Sequence, residues 1–221
     1  MALSHGCQMP KYLLAPEVNV LLSYLPDLRQ RLFIETLWNT GARVNEAMPL
    51  RPADFELDGS RPFVVLKTLK QQNKGRGRPK KDEELFRMVP LLDAGYVRRL
   101  REYFETFKLN RKRATAIWNV NGKPMSSSQT PRNWLVEAVE RANRDGVTFS
   151  FAPITTKTFR HSFAMHMLQN HIPPKILQAY MGHSELKSTE VYTKVFALDV
   201  GRHYGVAFSM DSDEARSLIL K

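Results

Sequence analysis

The chain has 221 residues, of which 33 are Lys or Arg and 22 are Asp or Glu, a formal charge of +11. That length buries a core without staples, and the single cysteine, Cys7, excludes an internal disulfide and any cysteine-rich metal site, which fits a reducing, cytoplasmic setting. No apolar run approaches the roughly 20 residues that span a bilayer, and "MALSHGCQMP" lacks a signal peptide's apolar stretch, so the excess positive charge points to nucleic acid before a membrane.

In chain order, Pro16 starts a short helix carrying Val18, Leu21, Leu22 and Leu25 that stops before Pro26. Asp27 caps a second helix with Leu28, Leu32, Leu37 and Trp38, broken at Gly41. "RVNEAMPL" predicts another turn or two of helix, ended at Pro49. The β-branched, aromatic "RPFVVLKTL" predicts a strand and "LFRMVPL" (85–91) a second, and the polar, glycine-containing stretch between them makes a hairpin with an extended loop. After Asp93, Val97, Leu100, Tyr103, Phe104 and Phe107 recur at helical spacing, and Pro131 opens a helix with Leu135, Ala138, Val139 and Ala142 on one side. "VTFSF" predicts a short strand, followed by helices at 157–170, from Pro174, and at 188–198. The fold class expected is α+β, mainly helical, with one small antiparallel β-sheet and no internal repeat.

Three stretches carry candidate chemistry. In "TGARVNE", Arg43 follows a glycine that by itself reads as a helix C-cap with a surface arginine after it. In "TTKTFRHSFAMHML", Lys157 and Arg160 are three apart and share one helix face, while Phe159, Phe163 and Met167 share another. "MGHSELKSTEVYTKVF" holds His183 and then Tyr192. Alone, that last stretch allows a buried phenol, and Tyr204 would serve as well.

Taken in this order and at this spacing, the three stretches resemble the signature boxes of the tyrosine recombinase (phage integrase-like) family. The ending "VYTKVFALDV" is most similar to plasmid-borne resolvases. The resemblance implies a catalytic-domain fold over 16–200, an N-terminal extension over 1–15, and a tail over 201–221 that packs on its own domain or docks on a neighbouring protomer. It implies a site-specific recombinase that cuts and rejoins double-stranded DNA through a 3′-phosphotyrosyl intermediate, in plasmid multimer resolution or integration. It also implies a homo-tetramer on DNA, a monomer being possible in solution, with no metal, nucleotide or other cofactor. Most relatives carry a further N-terminal helical domain; with 15 residues before the fold, this chain is expected to be a naturally short enzyme or a piece of a longer one.

By the same resemblance Tyr192 is the nucleophile, Arg43 and Arg160 clamp the phosphate, His183 donates to it, and Glu46 orients a neighbouring arginine or lysine. The chemistry suits these residue types. Attack on a phosphodiester adds negative charge to its non-bridging oxygens, and guanidinium groups offer permanently charged, bidentate donors to them. A phenol with a pKa near 10 needs its anion stabilised or its proton taken. The leaving 5′ oxygen needs a proton in return, and the family's strand-to-lysine spacing favours Lys70 over Lys67. Lys157 stands where the family most often has histidine, and a protonated lysine is a worse proton acceptor, so the group that takes the Tyr192 proton is left open.

"KQQNKGRGRPKK", 70–81, holds six Lys or Arg in twelve residues, and its "RGRP" core looks like an AT-hook. Lys74, Arg76, Arg78, Lys80 and Lys81, with Lys67 just before the stretch, are candidate DNA contacts, in a narrow minor groove or on the backbone, unless the loop is simply solvated and balanced by Asp82, Glu83 and Glu84. Two other functions fit the charge. A non-catalytic regulator would use 172–194 as a helix-turn-helix, leaving Arg43 and Arg160 without a task. A type IB topoisomerase would use similar chemistry without a partner site.

Overall fold

A computed structural model describes residues 10–68, 85–109 and 115–203, the last six of these as backbone only. Helix α1 (Ala15–Ser23) has Pro16 in its first turn, and the Leu14 amide donates to Glu17 Oε2 at 2.9 Å. Helix α2 (Leu28–Thr40) begins where Asp27 Oδ1 accepts from the amides of Arg29 and Gln30, satisfying two of the donors a helix start leaves unpaired. It ends at Gly41, at a left-handed φ of 61° that favours glycine. A single turn, α3 (Val44–Ala47), follows.

Strands β1 (Phe55–Glu56), β2 (Phe63–Thr68) and β3 (Leu85–Pro90) form an antiparallel sheet in that order. The expected hairpin is β2–β3, with Val64 opposite Val89 and Leu66 opposite Arg87. Helices α4 (Ala94–Thr106), α5 (Gln129–Arg144), α6 (Thr156–Gln169), α7 (Pro174–Met181) and α8 (Lys187–His203) complete the chain, with a two-residue-per-strand hairpin, β4 (Asn119–Val120) and β5 (Lys123–Pro124), before α5. No helix among the described residues is long and apolar enough to cross a membrane.

The core is organised around α2, which buries Leu32, Phe33, Ile34 and Leu37 and packs against α1, α4, α5 and α6. Phe33 meets Trp118 edge-on with centroids 5.4 Å apart, and the Trp118 indole N–H donates to the Ala47 carbonyl at 2.9 Å, fixing α3 against the core. The turn that carries Arg43 and Glu46 is thereby held in place.

Three features depart from the sequence expectation. "VTFSF" forms no strand: Ser150 donates from its amide and hydroxyl to Glu17 Oε1 at 2.8 and 2.6 Å, so the segment is tied to α1 instead of pairing with a sheet. The β4–β5 hairpin turns on Asn121 and Gly122, both at positive φ, as a tight hairpin turn requires. And α6 is not a two-faced helix: Arg160 is buried along with Phe159, Ser162, Phe163, Ala164 and Met165, which makes α6 a central helix that carries a charge inside.

Candidate active site

Arg160 is fixed by backbone on both sides. Its Nη1 donates to the Gly41 carbonyl and its Nη2 to the Met181 carbonyl, each at 2.6 Å, so the guanidinium links the end of α2 to the end of α7. Gly41 has no room for a side chain; an added Cβ would lie 2.4 Å from Phe163 Cδ1, at a φ that already disfavours one. Gly41→Ala is therefore expected to cost about 1–3 kcal/mol of stability, read as a lowered thermal midpoint, and to displace the carbonyl that holds Arg160.

Glu46 organises the second arginine. Its Oε1 accepts from Arg43 Nη1 and its Oε2 from the Arg43 amide, both at 2.9 Å, while Oε2 also accepts from Arg87 Nη2 at 2.6 Å. Arg87 rises from β3, 8% exposed, and its other donors reach the Tyr180 carbonyl at 2.8 Å and Thr68 Oγ1 at 2.9 Å. Burial would push the Glu46 carboxyl up, but the hydrogen bonds and charges of Arg87 and Arg43 hold it below its ordinary value. It is an anion that orients arginines.

Tyr192 comes from α8 and is 4% exposed. Its ring lies parallel to that of His183, within 2°, at a centroid distance of 6.4 Å. His183 Nδ1 is engaged by Thr189 Oγ1 at 2.9 Å, and Thr189 is fully buried. The Tyr192 hydroxyl instead meets His161 Nδ1 at 2.8 Å. Burial raises the phenol pKa, and the charges of Arg160 and Arg43, which oppose the shift, do not overcome it. Burial therefore outweighs the two arginine charges at this phenol, which stays protonated.

The phage integrase family profile matches residues 11–198, most of the chain. The chain belongs to the phage integrase family. A resolvase of Escherichia coli is 47% identical over 232 aligned residues, covering 99% of this chain and 86% of that protein. A probable site-specific recombinase of the afa region, also from Escherichia coli, is 46% identical, with 99% of this chain and 84% of that one aligned. In fold, the recombinase resembles XerH in a post-cleavage complex with a palindromic difH substrate, at a TM-score of 0.65 and 23% identity over 92% of this chain and 55% of that one. The chain is thus a tyrosine site-specific recombinase, with the mainly helical catalytic fold of that group.

Of the residues the sequence singled out in this recombinase, Arg43, Arg160, His183 and Tyr192 come together, with Glu46 behind Arg43. Lys157 lies on the same helix as Arg160 but is exposed; its charge is felt by His161. Lys67 is exposed on β2, across from Phe86. Lys70, Lys74, Arg76, Arg78, Lys80 and Lys81 lie outside the described residues, as do Tyr204 and most of the 201–221 tail. The regulator reading fits poorly with α8, because the side chain at its centre, Tyr192, points inward to His161 and not outward to a groove.

Sequence reasoning missed two site residues. Arg87 carried a signal in strand alternation: Arg87 and Val89 face inward while Phe86 and Met88, at 58% and 65% exposure, face outward, the reverse of the usual pattern. His161 is four residues after Lys157 and hence on the same side of α6, a spacing as informative as that of Lys157 and Arg160.

Both site histidines are held neutral. Burial pushes His161 down to about 4, with Lys157 and Arg160 adding to the shift; burial also takes His183 to about 4, helped by Arg160, Arg43 and Arg87. Because the unfolded chain binds these protons near pH 6.5 and the fold resists them, their stabilising effect is complete above 6.5 and fades as pH falls toward 4. The thermal midpoint is expected to drop across that window, and to drop less in His161→Asn; an equal drop in both proteins would remove His161 as a cause.

Proposed function

We propose that this recombinase binds double-stranded DNA at a specific site as a tetramer and exchanges strands through attack of Tyr192 on one phosphodiester. The observation that carries this is the placement of a buried tyrosine within the fields of two fixed arginines. Arg43 and Arg160 both act on the phenol, and neither is a surface cation: each is tied by Glu46 or by backbone carbonyls. A phosphate placed there meets donors already oriented for the charge that develops on its non-bridging oxygens. His183, held by Thr189, is the third donor in this reading, and Lys157 supplies positive charge at the rim.

Tyr192 Oη forms the bond to phosphorus as the bond to the 5′ oxygen breaks, and Lys70, or Lys67 in its place, protonates that oxygen. Religation is the reverse, with a 5′-hydroxyl attacking the phosphotyrosine. No hydrolysis occurs and the bond energy is retained. The basic residues Lys67, Lys74, Arg76, Arg78, Lys80 and Lys81 hold the duplex by its backbone or in a narrow minor groove. The similarity to resolvases supports plasmid multimer resolution in the cytoplasm as the role, and the tail 201–221 docks on the next protomer.

The test uses nicked duplexes randomised in sequence around the nick, so that the cut strand's short product diffuses away and the covalent complex accumulates. A protein–DNA adduct that maps to Tyr192 after proteolysis is the expected result, and sequencing of the trapped DNA gives the site. Binding without any adduct would overturn the reading in favour of a regulator. Relaxation of plasmids irrespective of sequence would favour a topoisomerase.

A further inference from the structure

Attack by Tyr192 requires that its hydroxyl proton go somewhere, and the position from which the family usually takes it holds Lys157. Lys157 is exposed, and a lysine ammonium has no lone pair to accept with. His183 is turned to Thr189 through Nδ1. Glu46 is saturated with arginine. Among the described residues one basic atom bonds to the phenol: His161 Nδ1, 2.8 Å from Tyr192 Oη, with ring centroids 5.6 Å apart.

We propose that His161 is the catalytic proton acceptor for Tyr192, a task moved one turn along α6 from the position that Lys157 occupies. The inference rests on Tyr192 being the nucleophile. As Tyr192 Oη bonds to phosphorus, its proton passes to His161 Nδ1, and the 5′ oxygen departs with a proton from the general acid. In religation the 5′-hydroxyl attacks and gives its proton back to the general acid, the phenol leaves, and the His161 imidazolium returns the proton to Oη. Both protons are accounted for in each direction.

Geometry meets the first demand on a general base, a heavy-atom distance within hydrogen-bond reach of the proton it takes. The phenol must be the donor in this bond, with the other ring nitrogen carrying the imidazole hydrogen. Protonation state meets the second, since an imidazole held low is neutral and its lone pair available at neutral pH. A base held near 4 is weak in the free protein. Burial is the largest cause, but the next two are the charges of Lys157 and Arg160, the groups that an incoming phosphodiester neutralises. DNA therefore strengthens the base when it docks. The free enzyme keeps a protonated tyrosine and the bound enzyme gains a better acceptor.

Single-turnover adduct formation on the trapped nicked duplex tests this, with thermal melting and DNA binding as controls for fold. His161→Asn keeps an oxygen near the Nδ1 position to accept a hydrogen bond but cannot take the proton; it is expected to slow adduct formation by about 10²–10⁴-fold with binding retained. His161→Gln replaces it if the Asn variant melts early. A difluorinated tyrosine at position 192, whose more acidic phenol needs less help, is expected to narrow the gap between wild type and His161→Asn. It is not expected to narrow the gap caused by Lys157→Ala. A rate for His161→Asn within a few-fold of wild type overturns the proposal. So does a loss of the same size with either phenol, which makes His161 a positioning residue, and so does narrowing with Lys157→Ala alone. If wild type itself gives no adduct, the nucleophile reading fails first.

Discussion

Tyr192→Phe is expected to abolish the covalent adduct completely while leaving the fold and DNA binding in place. The substitution removes one oxygen. The ring stays 4% exposed on α8, parallel to His183, so its packing survives. What is lost from stability is one hydrogen bond to His161, a net effect of about 0.5–1.5 kcal/mol, with no buried charge left behind. What is lost from chemistry, in the mechanism proposed, is the oxygen that bonds to phosphorus. Trapping on nicked duplexes and a melting curve measure the two effects separately. A residual adduct in Tyr192→Phe would move the nucleophile elsewhere, Tyr204 being the first place to look.

Glu46→Ala is expected to lower stability by about 3–5 kcal/mol, the usual effect of removing one partner from a buried ion pair. The Glu46 side chain is fully buried and that of Arg87 is 7% exposed, so Arg87 would be left charged in a site that water scarcely reaches. Its bonds to Tyr180 and Thr68 remain but carry no compensating charge. Arg43 is 30% exposed and loses less, yet its guanidinium loses the bond that aims it. Urea unfolding reads the stability and adduct formation reads the aim. Because the Glu46 pKa is lowered, its contribution is complete above the ordinary value of 4.5 and is lost as pH falls through the folded value, a trend that Glu46→Ala should flatten. An unchanged urea midpoint would mean that the Arg87 guanidinium finds water that the structure does not suggest.

Much of this was legible in the sequence because local signals and tertiary demands agreed. Asp27 and Gly41 bracket α2 by cap chemistry alone, and helical spacing after Asp93 and Pro131 located α4 and α5. Failures came where a partner distant in sequence decides. Phe149 and Phe151 read as strand residues, but a strand exists only if another lies beside it, and Glu17 had already taken the Ser150 donors. β1 is two residues long and exists because β2 lies beside it. In the site, helical spacing put Arg160 on one face with the exposed Lys157, because it reports neighbours on one helix; what holds Arg160 inside are carbonyls at residues 41 and 181. Arg87 and His161 were missed for the same reason, each defined by a contact to a different element.

The anchoring of Arg160 bears on how such an enzyme tolerates change. Both of its tethers are main-chain oxygens, so substitution of the side chains around them cannot delete either bond. The vulnerability is confined to two turns, since Gly41 is one anchor and Gly182, at φ 60°, immediately follows the other. A Cβ at Gly182 would press within 3.0 Å of Arg87. Drift elsewhere in the surrounding helices can therefore proceed while the Arg160 guanidinium stays fixed, provided that two positions keep no side chain at all.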